Sequence, residues 1–155
     1  MGDAIAVALM KLRNFKDINF ARFHPGGSLG KRLLQNVKNV MKKDSLPLIS
    51  PNDSIKKVIN VLSSGKCGLA VVVNDNKVVG VITDGDIRRS MESSETNFFK
   101  LKAFDIMTKE PYSVLENTKL KIAGDLMFSK KINSLIVINE KGLLSGIIQS
   151  YDLGL

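Results

Sequence analysis

A chain of 155 residues, 44% apolar and 25% charged, can form one compact domain or two small repeats sharing a core, and its composition excludes intrinsic disorder. No apolar run approaches the roughly 20 residues that span a bilayer, so no membrane partner is expected, and a single cysteine, Cys67, excludes an internal disulfide and favours a reducing compartment, by default the cytoplasm. Of the net charge of +8, +6 sits in the leading segment, with nine Lys/Arg against three Asp/Glu over residues 1–48 and 14 against 12 over the rest; with aromatics at 6% and no Trp, the interleaved basic and aromatic face that nucleic acid requires is not expected.

Asp3 to Asn14 reads as a helix rich in Ala, Leu, Ile and Met, with Asp3 as N-cap. Asp3 before the apolar run is not the order of a secretory signal. Apolar residues wrap nearly its whole circumference, the pattern of a buried helix. It either packs on the rest of the chain or another chain, or is the last helix of a further domain; the last is preferred. Next, His24-Pro25-Gly26-Gly27 forms a rigid corner, and Ser28 caps a short helix through Leu34. Composition alone makes His24 a packing or capping residue.

From Val37 an internal repeat begins. Met41 matches Met107, Leu69 matches Leu135, Gly80 matches Gly146 and Asp86 matches Asp152, each 66 positions on (107−41, 135−69, 146−80, 152−86). Between the first two pairs the offset is 65, as in Asn52 with Asn117 and Ile55 with Leu120. Each copy reads strand, helix, strand, turn, strand, helix. In the first, these are Leu46–Ile49, a helix near 54–64 capped by Asp53, Leu69–Val73, the turn Asn74 to Lys77, Val78–Thr83, and a helix from Asp84. The second gives Tyr112–Val114, a helix Thr118–Ser129 capped by Asn117, Leu135–Ile138, the turn Asn139 to Gly142, Leu143–Gln149, and a helix barely begun. Met41, Met107 and Met127 read as core filler, and Cys67, matched to Asn133, as a small buried thiol.

The stretch from Gly80 to Arg89 carries the sharpest chemistry. A β-branched strand runs into Thr83, then Asp84, Asp86, Arg88 and Arg89: a strand ending at a helix N-terminus, where free N–H groups and the dipole favour an anion. The echo from Gly146 to Leu153 keeps Asp152 but has Gln149 in place of the threonine. The competing reading is that the acids merely cap a helix.

Two such copies, each ending Gly-hydrophobic-hydrophobic-x-x-x-Asp, resemble a cystathionine-β-synthase (CBS) domain pair over about residues 37–155. Gly2-Asp3-Ala4, the apolar helix, Phe20-Ala21 and His24 to Gly30 resemble the end of the sugar isomerase (SIS) domain in D-arabinose-5-phosphate isomerases. The resemblance implies an α/β fold, a tandem pair of β-α-β-β-α repeats after a helical SIS remnant. The boundaries are 1–36 for the remnant, 37–92 for the first repeat and 93–155 for the second. It implies a regulatory pair sensing a nucleotide or nucleotide-sugar, in an enzyme that interconverts D-ribulose 5-phosphate and D-arabinose 5-phosphate for Kdo, lipopolysaccharide or capsule synthesis. By position, His24 matches a histidine implicated in proton handling, and Thr83 and Asp86 match residues contacting phosphate and ribose. Arg88, Arg89, Gln149 and Asp152 complete the expected ligand-binding set. No metal or cofactor is expected. The expected ligand is an adenine or cytidine nucleotide or a CMP-Kdo-like molecule. The pair is expected to form a homodimer within a tetrameric parent, and the chain alone to be catalytically inactive. The alternative is a dimerisation module with a vestigial cleft.

Overall fold

The computed structural model describes residues 2–14, 19 and 27–153. His24, with Phe20, Ala21, Pro25 and Gly26, lies outside the described residues. Helix α1 (Gly2–Leu12) exposes Ile5, Leu9, Met10 and Leu12, so among the described residues these do not pack on the repeats. Helix α2 (Ser28–Leu34) has Gly27 rather than Ser28 at its N-cap, and a short 3-10 turn, Val37–Asn39, follows.

The first repeat contributes β1 (Leu48–Ile49), α3 (Ile55–Gly65), β2 (Leu69–Asn74), β3 (Lys77–Thr83) and α4 (Asp84–Ser94). A 3-10 segment, Glu95–Lys100, leads to α5 (Ala103–Ile106) and β4 (Thr108–Lys109). The second gives β5 (Ser113–Leu115), α6 (Leu120–Lys130), β6 (Ser134–Ile138), β7 (Leu144–Gln149) and a final 3-10 turn, Ser150–Leu153. One sheet has the order β1-β2-β3-β4 and the other β5-β6-β7; β1 and β5 run parallel to their neighbours, and the other pairs are antiparallel. The apolar stripe of each helix meets its sheet: Val58 and Leu62 join Ala70, Val72 and Ile82, while Leu120, Ala123 and Met127 join Leu135, Val137 and Ile148. Alternate strand residues face the other way, and Leu69, Val71, Ile136 and Ile147 seal the two repeats together. Full burial of such side chains contributes about 1.5–3 kcal/mol each.

The structure corrects two local readings. Leu69 pairs with Thr83, but it is Ser134, not Leu135, that pairs with Gln149, so the offset along β2 and β6 is 65. The extra residue sits in the second hairpin. Asp75 and Asn76, at φ 49° and 62°, close the first as a two-residue turn. The second needs Asn139 to Leu143, with Asn139 Oδ1 accepting from Lys141 N (2.9 Å) and Leu143 N (3.0 Å). A slip of one residue moves every side chain to the opposite face, so the register matters: Cys67 corresponds to Ile132 rather than Asn133. The helix caps differ as well. Helices α3 and α6 begin after Ser54 and Lys119, not after Asp53 and Asn117. Ser54 and Lys119 stay extended because each is bridged to the other repeat's leading segment, Ser54 to Lys102 and Lys119 to Asn36. Asp53 instead accepts from Ser50 N (2.7 Å) and pairs with Lys57 (2.9 Å).

Those bridges belong to a reciprocal exchange. Val37 and Met41 stand at the head of the first repeat, yet they are buried in the core of the second. Ala103, at the head of the second repeat, is buried in the core of the first, and Ile106 and Met107 pack against that core. The exchange is completed by backbone pairing of Lys42 with Ile147 and of Thr108 with Val81. Gly80 and Gly146 permit the close approach: a Cβ on Gly80 would meet Met107 Sδ at 2.7 Å, and one on Gly146 would meet the Lys42 carbonyl oxygen at 2.5 Å.

Two outcomes are expected. Gly146→Ala must push backbone aside and should cost about 1–3 kcal/mol, several degrees of Tm in a thermal melt, whereas Gly80→Ala, meeting a flexible thioether, should cost less. For Asp53, partial burial opposes ionisation, but Lys57 and the Ser50 N–H together hold its carboxyl below the ordinary range. A depressed carboxyl stabilises the fold above its unfolded pKa, and that gain disappears as pH falls through its folded value. Asp53→Asn should therefore lower Tm at neutral pH, and the difference from the native chain should vanish on acidification below the usual carboxylate range.

Candidate functional site

The site forms where β3 ends and α4 begins. Thr83 is the N-cap residue and Asp86 stands three positions on, so their polar groups satisfy each other. Thr83 N donates to Asp86 Oδ2 (2.8 Å), the Thr83 hydroxyl donates to the same oxygen (2.7 Å), and Asp86 N donates to Thr83 Oγ1 (3.3 Å). This is a capping box, with aspartate in the usual glutamate position. The other oxygen, Oδ1, accepts from Arg89 Nη2 (2.5 Å) and from Thr108 Oγ1 (3.4 Å). Asp86 is thus a buried carboxylate, 7% exposed, with charge and hydrogen-bond partners. Capping, the competing sequence reading, is an observed role of both residues.

The exchange sets this corner against the second repeat. Thr108, brought beside Val81 by β4, joins this corner, and the segment Lys131 to Ser134, which leads into β6, forms the opposite wall of a cleft of about 660 Å³. Thr83, Asp86, Arg89 and Gln149 all line it. Arg88 is exposed and lies outside it; Asp152 also lies outside and accepts from Gln149 N (2.8 Å). Thr108, Glu110, Pro111, Tyr112 and the 131–134 segment were not identified from sequence. Only the exchange of leading segments brings Thr108 to this corner, and nothing in a periodicity reports that exchange.

The charges at the cleft are mixed. Arg89 and Lys131 stand among Asp84, Asp86 and Glu110, and Lys130 lies 5.1 Å from the ring centroid of Tyr112. The first turn of α4 contributes the positive end of the helix dipole. Such a corner can hold an anionic group, and a carboxylate such as Asp86 can accept from hydroxyls. Among the described residues, no cluster of His, Cys, Asp and Glu is arranged to hold a metal ion.

At the related corner of the second repeat, Gln149 is 9% exposed and donates through Nε2 to the carbonyl of Cys67 (3.0 Å); the Tyr151 hydroxyl donates to Gln149 Oε1 (2.6 Å). Partial desolvation of the phenol, and then the Asp152 carboxylate and Cys67, push Tyr151 above its ordinary pKa, with Lys42 acting in the opposite sense. Cys67 is buried, as its composition and setting lead one to expect. Because Asp86 secures both Thr83 and Arg89 whereas Asp152 bonds the backbone of Gln149, Asp86→Ala should lower stability by about 1–3 kcal/mol. Asp152→Ala should lower it less, which paired thermal melts would measure.

A family model described as CBS domain matches residues 37–93 and 103–153. The probable arabinose 5-phosphate isomerase of Haemophilus influenzae is 40% identical over 149 residues, covering 96% of this chain and 44% of that protein. The arabinose 5-phosphate isomerase KpsF of Escherichia coli is 38% identical over 153 residues, covering 98% of this chain and 46% of that protein. The chain therefore spans just under half the length of these curated relatives and corresponds to their C-terminal part. Among solved structures, CBSX2 in complex with AMP, a CBS-pair protein of Arabidopsis thaliana, matches with a TM-score of 0.67 at 26% identity, covering 77% of this chain and 92% of that one. With both repeats matched and the architecture of the pair reproduced, the chain belongs to the CBS domain family as a tandem pair.

Proposed function

We propose that this pair is the ligand-sensing part of an arabinose-5-phosphate-isomerase-type protein, and that an adenine nucleotide occupies the cleft. The observation that carries the reading is the cleft itself: about 660 Å³ between the repeats, with the first turn of α4 and Arg89 on one wall and Lys131 to Ser134 on the other. The AMP complex of CBSX2, a protein of the same fold at 26% identity, supports an adenine nucleotide as the first ligand to test. In this reading the phosphate lies at the start of α4 beside Thr83, the ribose hydroxyls donate to Asp86, and Arg89 turns from Asp86 to the phosphate. Cytidine nucleotides and a CMP-Kdo-like nucleotide-sugar remain the next ligands in order. Arg88, exposed and outside the cleft, takes no part.

Interconversion of the pentose phosphates, with any proton handling by His24, belongs to the longer protein and to its SIS domain, and the ligand acts by biasing how the pair packs on the rest of that protein. A cytoplasmic setting fits this role; among the described residues, no helix is long and apolar enough to cross a membrane. Association of two pairs is a compatible second reading, favoured by Ile122 and Phe128 of α6, which are 57% and 87% exposed. Sedimentation at several concentrations tests it, and a monomer throughout would remove it.

Titration calorimetry with AMP, ATP, CMP and CMP-Kdo tests the main reading. Saturable heat with AMP is expected, and Arg89→Ala should weaken it about tenfold, equivalent to roughly 1.4 kcal/mol. No heat from any of the four ligands would end the sensing assignment.

A further inference from the structure

The two repeats are related closely enough to offer two equivalent crevices, yet their corners are built differently. After the hairpins the offset is 66, so Gln149 stands where Thr83 does, Tyr151 where Gly85 does and Asp152 where Asp86 does; Lys42, paired with Ile147, is the counterpart of Thr108, paired with Val81. The conserved feature is the carboxylate under the strand end, because both Thr83 N and Gln149 N donate to it at 2.8 Å. Three groups at the corner have changed from short to long: Thr83 to Gln149, Gly85 to Tyr151 and Thr108 to Lys42.

We infer that the second crevice is closed by the chain's own side chains, so that each chain takes one nucleotide, in the Thr83–Asp86 cleft, and not two. This rests on the nucleotide reading above for the ligand, but the closure stands on contacts that involve no ligand. Lys42 Nζ donates to the carbonyl of Gly65 at the end of α3 (3.0 Å), and approaches Cys67 Sγ at 3.5 Å. An ammonium suits that place because the last carbonyls of a helix carry partial negative charge. Gln149 Nε2 reaches the Cys67 carbonyl at 3.0 Å, which Ser134 Oγ also approaches at 3.4 Å, and the Tyr151 hydroxyl closes onto Gln149 Oε1 at 2.6 Å. Three side chains from the leading segment and the second repeat are thus bonded to one another or to the backbone between α3 and β2. The first corner has short groups instead. Thr108 reaches only Asp86 Oδ1 (3.4 Å), and Gly85 has no side chain. A Cβ on Gly85 would meet Arg89 Nη1 at 3.2 Å and Thr83 Oγ1 at 3.5 Å, so the backbone accepts a side chain there and only the cleft is filled.

The test transfers residues between corners. Calorimetry of the native chain with AMP should give one site per chain. Gly85→Tyr and, separately, Thr108→Lys, which install the second corner's residues in the first, should each weaken AMP at least tenfold while the chain stays folded by circular dichroism. Lys42→Thr with Tyr151→Gly should keep native AMP affinity within about threefold, and should lower Tm by several degrees because the bonds to Gly65 and Gln149 are gone. Two AMP per native chain overturns the proposal. So does native affinity in both transfer variants, or an unchanged Tm in the Lys42/Tyr151 variant. If the native chain gives no heat with AMP, the nucleotide reading fails, and the Tm of the Lys42/Tyr151 variant alone decides whether the crevice is closed.

Discussion

Backbone pairing of Lys42 with Ile147 and of Thr108 with Val81 ties the head of each repeat to the other repeat, and the cleft depends on that crossing. Without it, β3 would end in an open corner with Thr83 and Asp86 facing solvent, and the opposite wall would have no reason to be near. With it, Met41 becomes a core residue of the second repeat and Met107 packs against the core of the first. The two glycines at the crossing points are then fixed by geometry, since the crossing segment lies where a Cβ would be: Met107 Sδ for Gly80 and the Lys42 carbonyl oxygen for Gly146. One constraint of close approach thus sets the sequence at the crossings, the division of the cores and the position of the site.

Within that frame the two halves have separated in chemistry while keeping their scaffold. The carboxylates of Asp86 and Asp152 each accept the amide at the end of the preceding strand. One corner then adds a hydroxyl, a glycine and an arginine and stays open. The other adds an amide, a phenol and an ammonium and fills itself. Pseudo-symmetric repeats permit this division because the cap that holds the strand to the following turn is independent of the groups that project beyond it.

Much of this was legible in the sequence. The offset of 66 found the repeat, the glycines within β3 and β7, the hairpins and the polar corner, because those features recur at fixed spacing and each has a local physical cause. Cys67 as a buried thiol and the apolar stripes of α3 and α6 follow from the same kind of reasoning. The register of β6 was less legible. Leu69 and Leu135 match as letters, and an apolar strand gives no internal mark of a one-residue slip until its hairpin partner is known. The helix caps were misplaced for a related reason: Asp53 and Asn117 are good capping residues, but Ser54 and Lys119 are held extended by residues far away in sequence. Half of the cleft was missed because Thr108 and Lys131 to Ser134 reach it only through the crossing. Arg88 and Arg89 could not be told apart by composition; a helix turns one toward Asp86 and the other away.

Helix α6 spans the distance between two functions that the sequence keeps apart. At its start, Lys119 Nζ donates to the carbonyl of Leu34 (2.8 Å) and Leu120 N to that of Gln35 (3.1 Å), so the chain arriving through α2 is fastened there. At its end, Lys131 and the residues after it form a wall of the cleft. A rigid rod anchored at one end to the incoming polypeptide and at the other to the crevice behaves as a lever. In the proposed sensing role, a tilt at the crevice would reach residues 34 and 35 through the second repeat, even though the first supplies the polar corner.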